Sequence, residues 1–589
     1  MDFRLEHPRP ELVRENWVSL NGVWDFEIDN ARVGTWHGYE KRDSLEGKIN
    51  VPFCPESSLS GVGHTDFLYG VWYRRDIEIP KSWKNKRVIL HFEACDYLTR
   101  VYVNGKEAGK HKGGYTPFCF DITDLLSESG NYISVYAEDD PVGECQVAGK
   151  QSHKLNSYGC FYTRTTGIWQ SVWMEAVEPA RVVRYASLAN LAQNNVTFTV
   201  DFTEASLGAD LTVTAFYDGK EVGSAETVVN SRRMAVTLPL SELHLWELGE
   251  GRLYDVTFEV IDGEERSDKV KGYFGMREVM LRKDGFYING ERKFGRFVLD
   301  QGFYPDGIYT APSDAALEFD IKSSMSFGFN GARLHQKVFE PRFLYHADRL
   351  GYMVFDETGN WGLNCSDPAN VYNFLPEWIE EMERDMCHPS VIGWCPFNET
   401  WDVDGRRQSN ELMELVYNTT YAIDASRLIV TNSGSYPCPK NDAHDVHDYE
   451  QDVEKFTDNY AHIKEGIVNC HLMRRNDGRQ KFDQTKPVFV SEYGGIKWVI
   501  GENESAWGYG QSVTTEEEFF TRLKGLTDAL LDNEDIFAYC YTQLTDVEQE
   551  QNGLMTYDRR FKFPSEKIAE IFGRKAVIEK DEEGRGCRI

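Results

Sequence analysis

From about residue 277 onward, short apolar strands alternate with amphipathic helical segments, and this alternation limits the fold more than any other feature. Eight strand candidates lie at 294–299, 331–334, 352–355, 391–396, 428–431, 445–447, 487–491 and 537–541. Helical patterns lie between most of them, at 314–327, 341–350, 375–387, 410–423 and 516–531. Eight strand-then-helix units in about 300 residues are typical of a (β/α)₈ barrel, which we assign to residues 277–589. The connection from 451 to 486 is long and irregular, and it is the weakest part of this pattern.

Residues 1–180 consist of short segments in which apolar and polar side chains alternate, separated by turn residues. The segments 23–27, 72–79 and 100–105 show this pattern, and the last of them contains the hairpin turn Asn104-Gly105. Many such strands in series predict a jelly-roll β-sandwich. A second β-rich stretch at 181–276 is long enough for an immunoglobulin-like sandwich. We therefore expect a multidomain chain that is first all-β and then α/β.

The length and charge of the chain exclude several classes of protein. With 589 residues the chain is too long for one hydrophobic core, and about three or four structural units are expected. No apolar run approaches the roughly 20 residues that a membrane-spanning helix needs. The 95 acidic residues outnumber the 64 basic ones and give a net charge of −31, which repels nucleic acids and anionic lipid surfaces. We therefore expect neither a nucleic acid nor a membrane as partner.

The first ten residues and the cysteines indicate the cellular compartment. The segment 1–10 is charged and lacks the apolar region of a secretory signal, so a cytoplasmic location is expected. The 12 cysteines are scattered without a Cys-x-x-Cys pair, and Cys395 and Cys540 lie inside apolar runs. This pattern predicts reduced, buried thiols rather than a disulfide framework or a zinc site.

The segments that follow the predicted barrel strands are rich in polar side chains. Catalytic groups of such barrels project from the C-terminal ends of the strands, so the search for a site can be limited to these positions. The polar residues found there are Arg333, His335, Asp356, Glu357, Asn398, Glu399, His447, Asp448, Tyr449, Glu492, Tyr493 and Gln543. We therefore expect one polar site at this end of the barrel.

Glu399 and Glu492 follow the fourth and seventh strands, which lie on opposite sides of a barrel mouth. Facing carboxylates suit cleavage of a glycosidic bond, because one can protonate the leaving oxygen while the other attacks the anomeric carbon. Aromatic residues near the same loops could pack against a sugar ring, namely Trp361, Trp401, Tyr449, Tyr493, Trp498 and Trp507. No phosphate-binding loop, zinc-protease motif or nucleophile elbow competes with this interpretation.

Most of these residues also have structural interpretations. A single glutamate at a strand end often forms a salt bridge, and Asp356-Glu357 is a rival carboxylate pair. Arg333 could be an ion-pair partner of Glu492 or Glu357, which would still affect the ionisation of the nucleophile. The histidines and tryptophans could be packing residues of loops. A non-catalytic carbohydrate-binding protein is the alternative of another class, and retention of both Glu399 and Glu492 argues against it.

Short motifs in both parts of the chain match one known family. In the N-terminal part they lie at 20–26 (LNGVWDF), 70–74 (GVWYR) and 166–172 (TGIWQSV). In the barrel they lie at 328–333 (GFNGAR), 348–357 (DRLGYMVFDE), 388–394 (HPSVIGW), 397–399 (FNE), 491–494 (SEYG) and 541–548 (YTQLTDVE). Through these motifs, which are highly specific in this order and cover nearly the whole chain, the chain resembles glycoside hydrolase family 2, the family of β-galactosidases, β-glucuronidases and β-mannosidases.

The resemblance implies a role for each residue of the catalytic motifs. Asn398 is expected to bond the sugar 2-hydroxyl, Glu399 to act as general acid/base and Glu492 to act as nucleophile. Arg333 is expected beneath the nucleophile and Tyr449 beside it. Further substrate-binding residues are expected at His335, His447, Trp507, Tyr541 and Gln543. Protonation and carboxylate attack need no cofactor, while the family leaves room for a structural cation and for homo-oligomers.

The chain departs from the family pattern where the substrate sugar is selected. Family β-glucuronidases hold the uronate with an Asn-x-Lys motif, and the matching segment here is Glu550-Gln551-Asn552. Arg164 and Lys337 could form a different anion-binding pair, and surface roles remain open for both. The leading expectation is a retaining exo-β-glycosidase of the β-galactosidase type, with a β-hexuronidase (galacturonide or glucuronide) as the alternative. We expect Glu492 to be ionised beside Arg333 and Glu399 to carry a proton.

Overall fold

The computed structural model describes residues 3–263, 267–400, 407–434, 438–469, 483–501 and 505–580. Its N-terminal part is a sandwich of two antiparallel sheets whose facing apolar side chains form one core. The smaller sheet has the order Trp17–Ser19, Val172–Val177, Arg87–Phe92, Phe118–Asp121. The larger sheet has the order Gly47–Val51, Gly22–Ile28, Gly70–Ile77, Asn131–Glu138, Leu98–Val103, Lys106–Lys112. A short ladder joins Gly167–Ile168 to Cys95–Asp96.

A second antiparallel sandwich follows, and its strands show the alternation of buried and exposed residues that the sequence predicts. Its three-stranded sheet has the order Val182–Asn190, Asn195–Phe202, Arg233–Pro239. Its four-stranded sheet has the order Lys220–Val228, Asp210–Tyr217, Tyr254–Ile261, Ser267–Phe274. A small three-stranded sheet then leads to the last part of the chain, with strands Val279–Arg282, Gly285–Ile288 and Glu291–Lys293.

The C-terminal part is a sheet of eight parallel strands in barrel order. From the fifth strand backward to the first, and then from the eighth to the sixth, the order is Leu428–Ile429, Val391–Cys395, Met353–Glu357, Gly331–Leu334, Gly295–Asp300, Ile536–Thr542, Val488–Gly494, His444–Asp448. The first and eighth strands pair in parallel, so the sheet curves back on itself. The short parallel pair Phe397–Asn398 and Asn432–Ser433 extends the fourth and fifth strands at their C-terminal ends. The predicted (β/α)₈ barrel is confirmed.

Helices follow the barrel strands and cover the outside of the sheet. The α-helices of the described residues are Asp314–Ser326, Pro341–Leu350, Val371–Asp385, Asn410–Ile423, Val453–Asn459, Glu516–Leu531, Ser565–Phe572 and Val577–Lys580. Short 3₁₀ turns lie at Tyr39–Lys41, Lys81–Trp83, Thr123–Leu125, Glu204–Ser206, Pro368–Asn370 and Ile463–Glu465. In the parts of the chain described here, no helix is both long enough and apolar enough to span a membrane. Every described cysteine is a free thiol.

A loop of the N-terminal sandwich lies directly on the C-terminal end of the barrel. The backbone amides of Ala148 and Gly149 donate to the carbonyl oxygens of Trp361 (2.7 Å) and Gly359 (2.9 Å) in the loop after the third barrel strand. Gly149 has a left-handed backbone (φ 56°), and a Cβ there would lie 2.0 Å from the carbonyl oxygen of Gln336. A residue with a side chain could not approach the barrel this closely. The sandwich therefore forms part of the wall around the barrel mouth.

Candidate active site

Glu492 lies within the seventh barrel strand, and both of its carboxylate oxygens are bonded. Arg333 of the second strand donates through Nη1 to Oε1 of Glu492 at 2.9 Å and to the carbonyl of Ser491 at 3.1 Å. The Tyr449 hydroxyl donates to Oε2 of Glu492, and His447 Nδ1 lies 3.3 Å from the same oxygen. Burial alone would raise the pKa of Glu492, but the positive charges of His447 and Arg333 lower it to about 2. Glu492 is therefore ionised at neutral pH.

Arg333 also holds the neighbouring strands in place. Its Nε donates to Glu357 of the third strand, and its Nη2 donates to Oδ1 of Asn398 beside the fourth strand. Glu357 in turn lies 2.9 Å from Nδ1 of His335. Burial, together with the nearby ammonium of Lys150, lowers the pKa of His335 well below its usual value, so this imidazole is neutral. The buried arginine therefore fixes three strand ends around the carboxylate of Glu492.

The side chains of the rival pair Asp356-Glu357 point in opposite directions, because successive side chains of a strand alternate between its two faces. Glu357 points into the barrel mouth, where it binds Arg333. Asp356 points outward, where burial, with Asp385 as neighbour, raises its pKa well above the usual value. The two carboxylates therefore lie on opposite faces of the sheet and cannot act together.

Glu399 occupies a different environment at the end of the fourth strand. Its backbone is in the left-handed region (φ 45°), and its amide donates to the carbonyl of Ser433 at 2.8 Å. Its Oε1 lies 2.7 Å from Nδ1 of His447. Its side chain is 17% exposed, compared with 5% for Glu492. A carboxylate oxygen of each glutamate and a ring nitrogen of His447 all lie within 4.8 Å of one another.

His447 contacts both glutamates through Nδ1, and its other ring nitrogen contacts a serine. Its Nε2 lies 2.9 Å from the hydroxyl of Ser433. Burial alone would lower the pKa of His447, but the carboxylates of Glu492 and Glu399 outweigh burial and raise it. The imidazole is therefore protonated over a wider pH range than an ordinary histidine.

The side-chain nitrogen of Asn398 remains available to a ligand. Its backbone amide is bonded to Oδ1 of Asn360 at 2.8 Å, and its carbonyl accepts from the indole of Trp361 at 3.1 Å. Its side-chain Oδ1 accepts from Arg333. Its Nδ2 is buried and has no hydrogen-bond acceptor among the described residues. A buried donor with this geometry is suited to bind a hydroxyl of a ligand.

A cavity of about 530 Å³ opens beside Glu399 and is bounded by both the sandwich and the barrel. The sandwich contributes His153 and Phe161, and the barrel contributes Trp361 and Gln408. The rings of Phe161 and Trp361 lie 5.1 Å apart. Glu399 therefore borders an open space, whereas Glu492 lies deeper in the barrel.

Tyr449 is oriented by aromatic stacking. Its ring stacks on Tyr509 with the ring centroids 3.4 Å apart, and its hydroxyl lies 3.0 Å from that of Thr542. Among the other aromatic residues predicted near the site, Trp361 borders the cavity. Tyr493 and Trp498 pack into the core between barrel and helices, and Trp401 lies outside the described residues.

The two cations predicted to bind an anion do not come together at the site. The guanidinium of Arg164 donates to backbone carbonyls of Ser152 (3.0 Å) and Leu155 (3.1 Å) in its own domain. The ammonium of Lys337 donates to the carbonyls of Gly302 (2.5 Å) and Tyr309 (2.7 Å). Both side chains satisfy backbone groups, so the geometry removes the predicted anion-binding pair.

Three further predicted residues make contacts with other parts of the chain. Tyr541 is fully buried between Tyr493 and the helix residue Phe572. The indole of Trp507 donates to the carbonyl of Gly159, so it attaches the sandwich to the barrel. Gln543 is buried and bonded to Gln301 (2.5 Å) and Asn552 (2.7 Å). These three residues support the walls of the site.

Two further buried charged residues were not among the predicted site residues. Lys150, on the sandwich loop described above, places its ammonium 4.2 Å from the ring centroid of Trp361. Glu550 accepts hydrogen bonds from the hydroxyl of Tyr162 and from Nδ2 of Asn552. Neither residue belongs to a periodic element, so no pattern in the sequence marks their side-chain directions.

Comparisons with known proteins agree with this architecture. Residues 65–174 match the family model "Glycosyl hydrolases family 2, sugar binding domain", residues 180–277 match "Glycosyl hydrolases family 2", and residues 311–502 match "Glycosyl hydrolases family 2, TIM barrel domain". A β-galactosidase of Thermoanaerobacter pseudethanolicus is 28% identical over 394 residues, covering 63% of this chain and 51% of that protein. A β-glucuronidase of Streptococcus agalactiae is 24% identical over 431 residues, covering 65% of this chain and 66% of that protein.

The fold is also found among solved structures. A β-glucuronidase from Ruminococcus gnavus superposes with a TM-score of 0.77 at 19% identity, covering 95% of this chain and 99% of that one. The chain spans about half the length of the Thermoanaerobacter relative. The three family models follow one another in the order of the two sandwiches and the barrel. The chain therefore belongs to the glycosyl hydrolases of family 2.

Proposed function

We propose that this protein is a retaining exo-β-glycosidase in which Glu492 is the nucleophile and Glu399 the general acid/base. The observation that carries the proposal is the pair of unlike glutamates at one barrel mouth. Glu492 is buried and kept ionised by Arg333 and His447, whereas Glu399 borders the open cavity. An ionised carboxylate facing a second, more accessible one is the arrangement that double displacement requires.

The short distance between the two glutamates supports retention of configuration. Retaining enzymes hold their carboxyl groups about 5–5.5 Å apart, and inverting enzymes about 6.5–9.5 Å apart, because a water must fit between them. Here one oxygen of each carboxylate lies within 4.8 Å of the other. This separation is shorter than the range typical of inverting enzymes, so it supports direct attack on the sugar by Glu492.

The side chains account for each step of the reaction. Glu399 protonates the leaving oxygen while Glu492 attacks the anomeric carbon, which gives a glycosyl–enzyme ester. Glu399 then removes a proton from water, which attacks the same carbon and releases Glu492. The unpaired Nδ2 of Asn398 donates to the sugar 2-hydroxyl, and Tyr449 orients the nucleophile.

A neutral β-galactoside is the first candidate for the substrate. The Asn-x-Lys motif is absent, and Arg164 and Lys337 are bonded to backbone carbonyls. None of these groups is therefore available to a uronate carboxylate. The ammonium of Lys150 lies over the ring of Trp361, whose indole bonds the carbonyl of Asn398, and this is the observation that favours a β-hexuronide as second candidate.

The test is hydrolysis of p-nitrophenyl β-glycosides by the wild-type protein. The panel contains the galactoside, glucoside, galacturonide and glucuronide, and NMR identifies the first anomer released. We expect turnover of at least one member with the β-anomer appearing first. Release of the α-anomer would overturn the retaining mechanism, and absence of turnover across activated β-glycosides would favour the carbohydrate-binding alternative.

A further inference from the structure

The cavity beside Glu399 lies where the proposed reaction releases its leaving group. Of the two glutamates, only Glu399 lines this cavity. In double displacement the general acid stands next to the glycosidic oxygen, while the nucleophile attacks the anomeric carbon from the opposite face. The part of the substrate beyond the glycosidic oxygen, the aglycone, therefore occupies the space beside Glu399.

Three aromatic side chains, His153, Phe161 and Trp361, line this cavity and are called the aromatic wall below. The ring centroid of Phe161 lies 5.1 Å from that of Trp361 and 5.4 Å from that of His153. The side chains of Phe161 and Trp361 are both only half-buried. Val142 and Leu363 add aliphatic surface to the same cavity. The space beside the general acid therefore offers an aglycone a predominantly apolar surface.

The aromatic wall is held in place by contacts outside the cavity. The ring of Tyr158 stacks on that of Phe161 with the centroids 5.1 Å apart. The side-chain amide of Gln549, from the barrel, donates to the carbonyl of Phe161 at 3.1 Å. The indole of Trp361 donates to the carbonyl of Asn398 at 3.1 Å. The wall is therefore positioned before a ligand binds, which reduces the entropy that binding costs.

The polar side chains that line the cavity with Glu399 already have partners. The hydroxyl of Thr400 donates to Gln408 at 2.6 Å, and the amide of Gln408 donates to Asn410 at 3.0 Å. The side chain of Asn360 bonds both backbone groups of Asn398, at 2.8 and 3.1 Å. A second sugar in this space would bring hydroxyls that these groups do not satisfy, whereas an aromatic ring needs no such partner.

We propose that the aromatic wall binds an aromatic aglycone, so that the protein selects aryl β-glycosides over glycosides whose aglycone is saturated or is a second sugar. Aromatic rings pack well edge to face or offset, and such pairs stabilise a complex beyond the area that they bury. The inference rests on the proposed glycosidase function. It assigns selection of the aglycone to Phe161 of the sandwich, while the barrel carries out the reaction.

The test uses 1-thio-β-glycosides, which resist hydrolysis, so that the chemistry of the leaving group does not affect the result. All carry the sugar that the p-nitrophenyl panel identifies, and the aglycone is phenyl, cyclohexyl or a glucose joined through carbon 4. Their inhibition constants would be measured against the p-nitrophenyl substrate. Wild type should bind the phenyl compound about 3- to 10-fold more tightly than the cyclohexyl compound, the scale of an aromatic pair. It should bind the phenyl compound about tenfold or more tightly than the glucose compound.

Substitutions of Phe161 test the aromatic wall itself. Phe161→Leu keeps an apolar side chain but removes the ring, so the phenyl preference over cyclohexyl should fall towards one. Phe161→Tyr keeps the ring and should keep the preference. Phe120→Leu is the matched control, because Phe120 is a half-buried residue of the same sandwich that does not line the cavity. Both ligands are measured on one preparation, so a loss of folded protein cancels in their ratio.

Three results would overturn the inference. Equal binding of the phenyl and cyclohexyl compounds by wild type would show that the cavity does not select aromatic rings, whatever the variants do. An unchanged preference in Phe161→Leu would remove Phe161 from aglycone binding. Tighter binding of the glucose compound than of the phenyl compound would make the cavity a second sugar site. Absence of turnover of every activated β-glycoside by wild type would instead refute the proposed function.

Discussion

The two glutamates at the barrel mouth have the same side chain but different surroundings. Glu492 lies within a regular strand, 5% exposed, with both oxygens bonded to Arg333 or Tyr449. Glu399 lies just after a strand, in a left-handed backbone conformation, and its side chain is 17% exposed at the edge of a cavity. The comparison teaches that position in the barrel, rather than residue type, decides how buried and how tightly bonded each carboxylate is.

The largest expected effect comes from removing the anion of this pair. Glu492→Gln keeps the size of the side chain but removes the attacking oxygen and its charge. We expect kcat/KM to fall by roughly four orders of magnitude or more, the scale seen when another hydrolase loses its nucleophile. The loss should be similar for good and poor leaving groups. Retention of most activity with an unchanged melting temperature would contradict the assignment.

Removing the more exposed glutamate should produce a smaller loss that depends on the leaving group. Glu399→Gln cannot protonate the leaving oxygen, so we expect kcat/KM to fall by about 10²- to 10⁴-fold for poor leaving groups. A dinitrophenyl glycoside needs no proton and should lose much less in its first step. Burst kinetics with dinitrophenyl and methylphenyl glycosides would measure this difference. Equal losses for both leaving groups would show that Glu399 does not protonate the leaving oxygen, which would contradict its assigned role.

The charge next to Glu492 should determine the acid side of the pH profile. In wild type the pKa of Glu492 is lowered to about 2, so its ionised form persists down to that pH. Arg333→Lys keeps a positive charge but cannot bond Glu492, Glu357 and Asn398 together, so the pKa of Glu492 should rise. We expect kcat/KM to fall by about 10- to 100-fold and its acid limb to move to higher pH. An acid limb at the wild-type position would show that Arg333 does not control the nucleophile.

The smallest effect on sugar selection is expected away from both glutamates. Lys337→Met removes an ammonium that donates to Gly302 and Tyr309, leaving two buried carbonyls without their donor. Stability should fall by about 1–3 kcal/mol, while the galactoside-to-galacturonide ratio of kcat/KM stays unchanged. Denaturant unfolding and the substrate pair would measure both quantities. A changed galactoside-to-galacturonide ratio would show that Lys337 takes part in substrate selection.

The regular elements of the barrel could be predicted because the spacing of apolar residues and the residues at helix ends indicate the same boundaries. The helix Pro341–Leu350 was predicted with the same bounds, since Pro341 suits its first turn and Gly351 ends it with φ 66°. The strand Gly331–Leu334 likewise matches its prediction. Strand alternation also separates Asp356 from Glu357, although choosing which of them faces the mouth requires the structure.

The substrate side of the site could not be predicted, because it depends on contacts between domains. Arg164 and Lys337 were placed near the sugar from their positions next to family motifs, but both bond backbone carbonyls. Lys150 reaches the barrel because Gly149 lets the sandwich loop approach Gln336 closely. Such a contact has no periodic signature in the sequence. The sequence therefore could not predict that Arg164 and Lys337 bond backbone carbonyls, or that Lys150 contacts the barrel.

Trapping of the glycosyl–enzyme intermediate tests the central claim most directly. A 2-deoxy-2-fluoro derivative of the best β-glycoside, with a dinitrophenyl leaving group, should slow release of the sugar more than its transfer to the enzyme. Intact-mass analysis should then show one sugar attached per chain, and peptide mapping should place it on Glu492. An adduct on Glu399, or steady turnover without an adduct, would contradict the account.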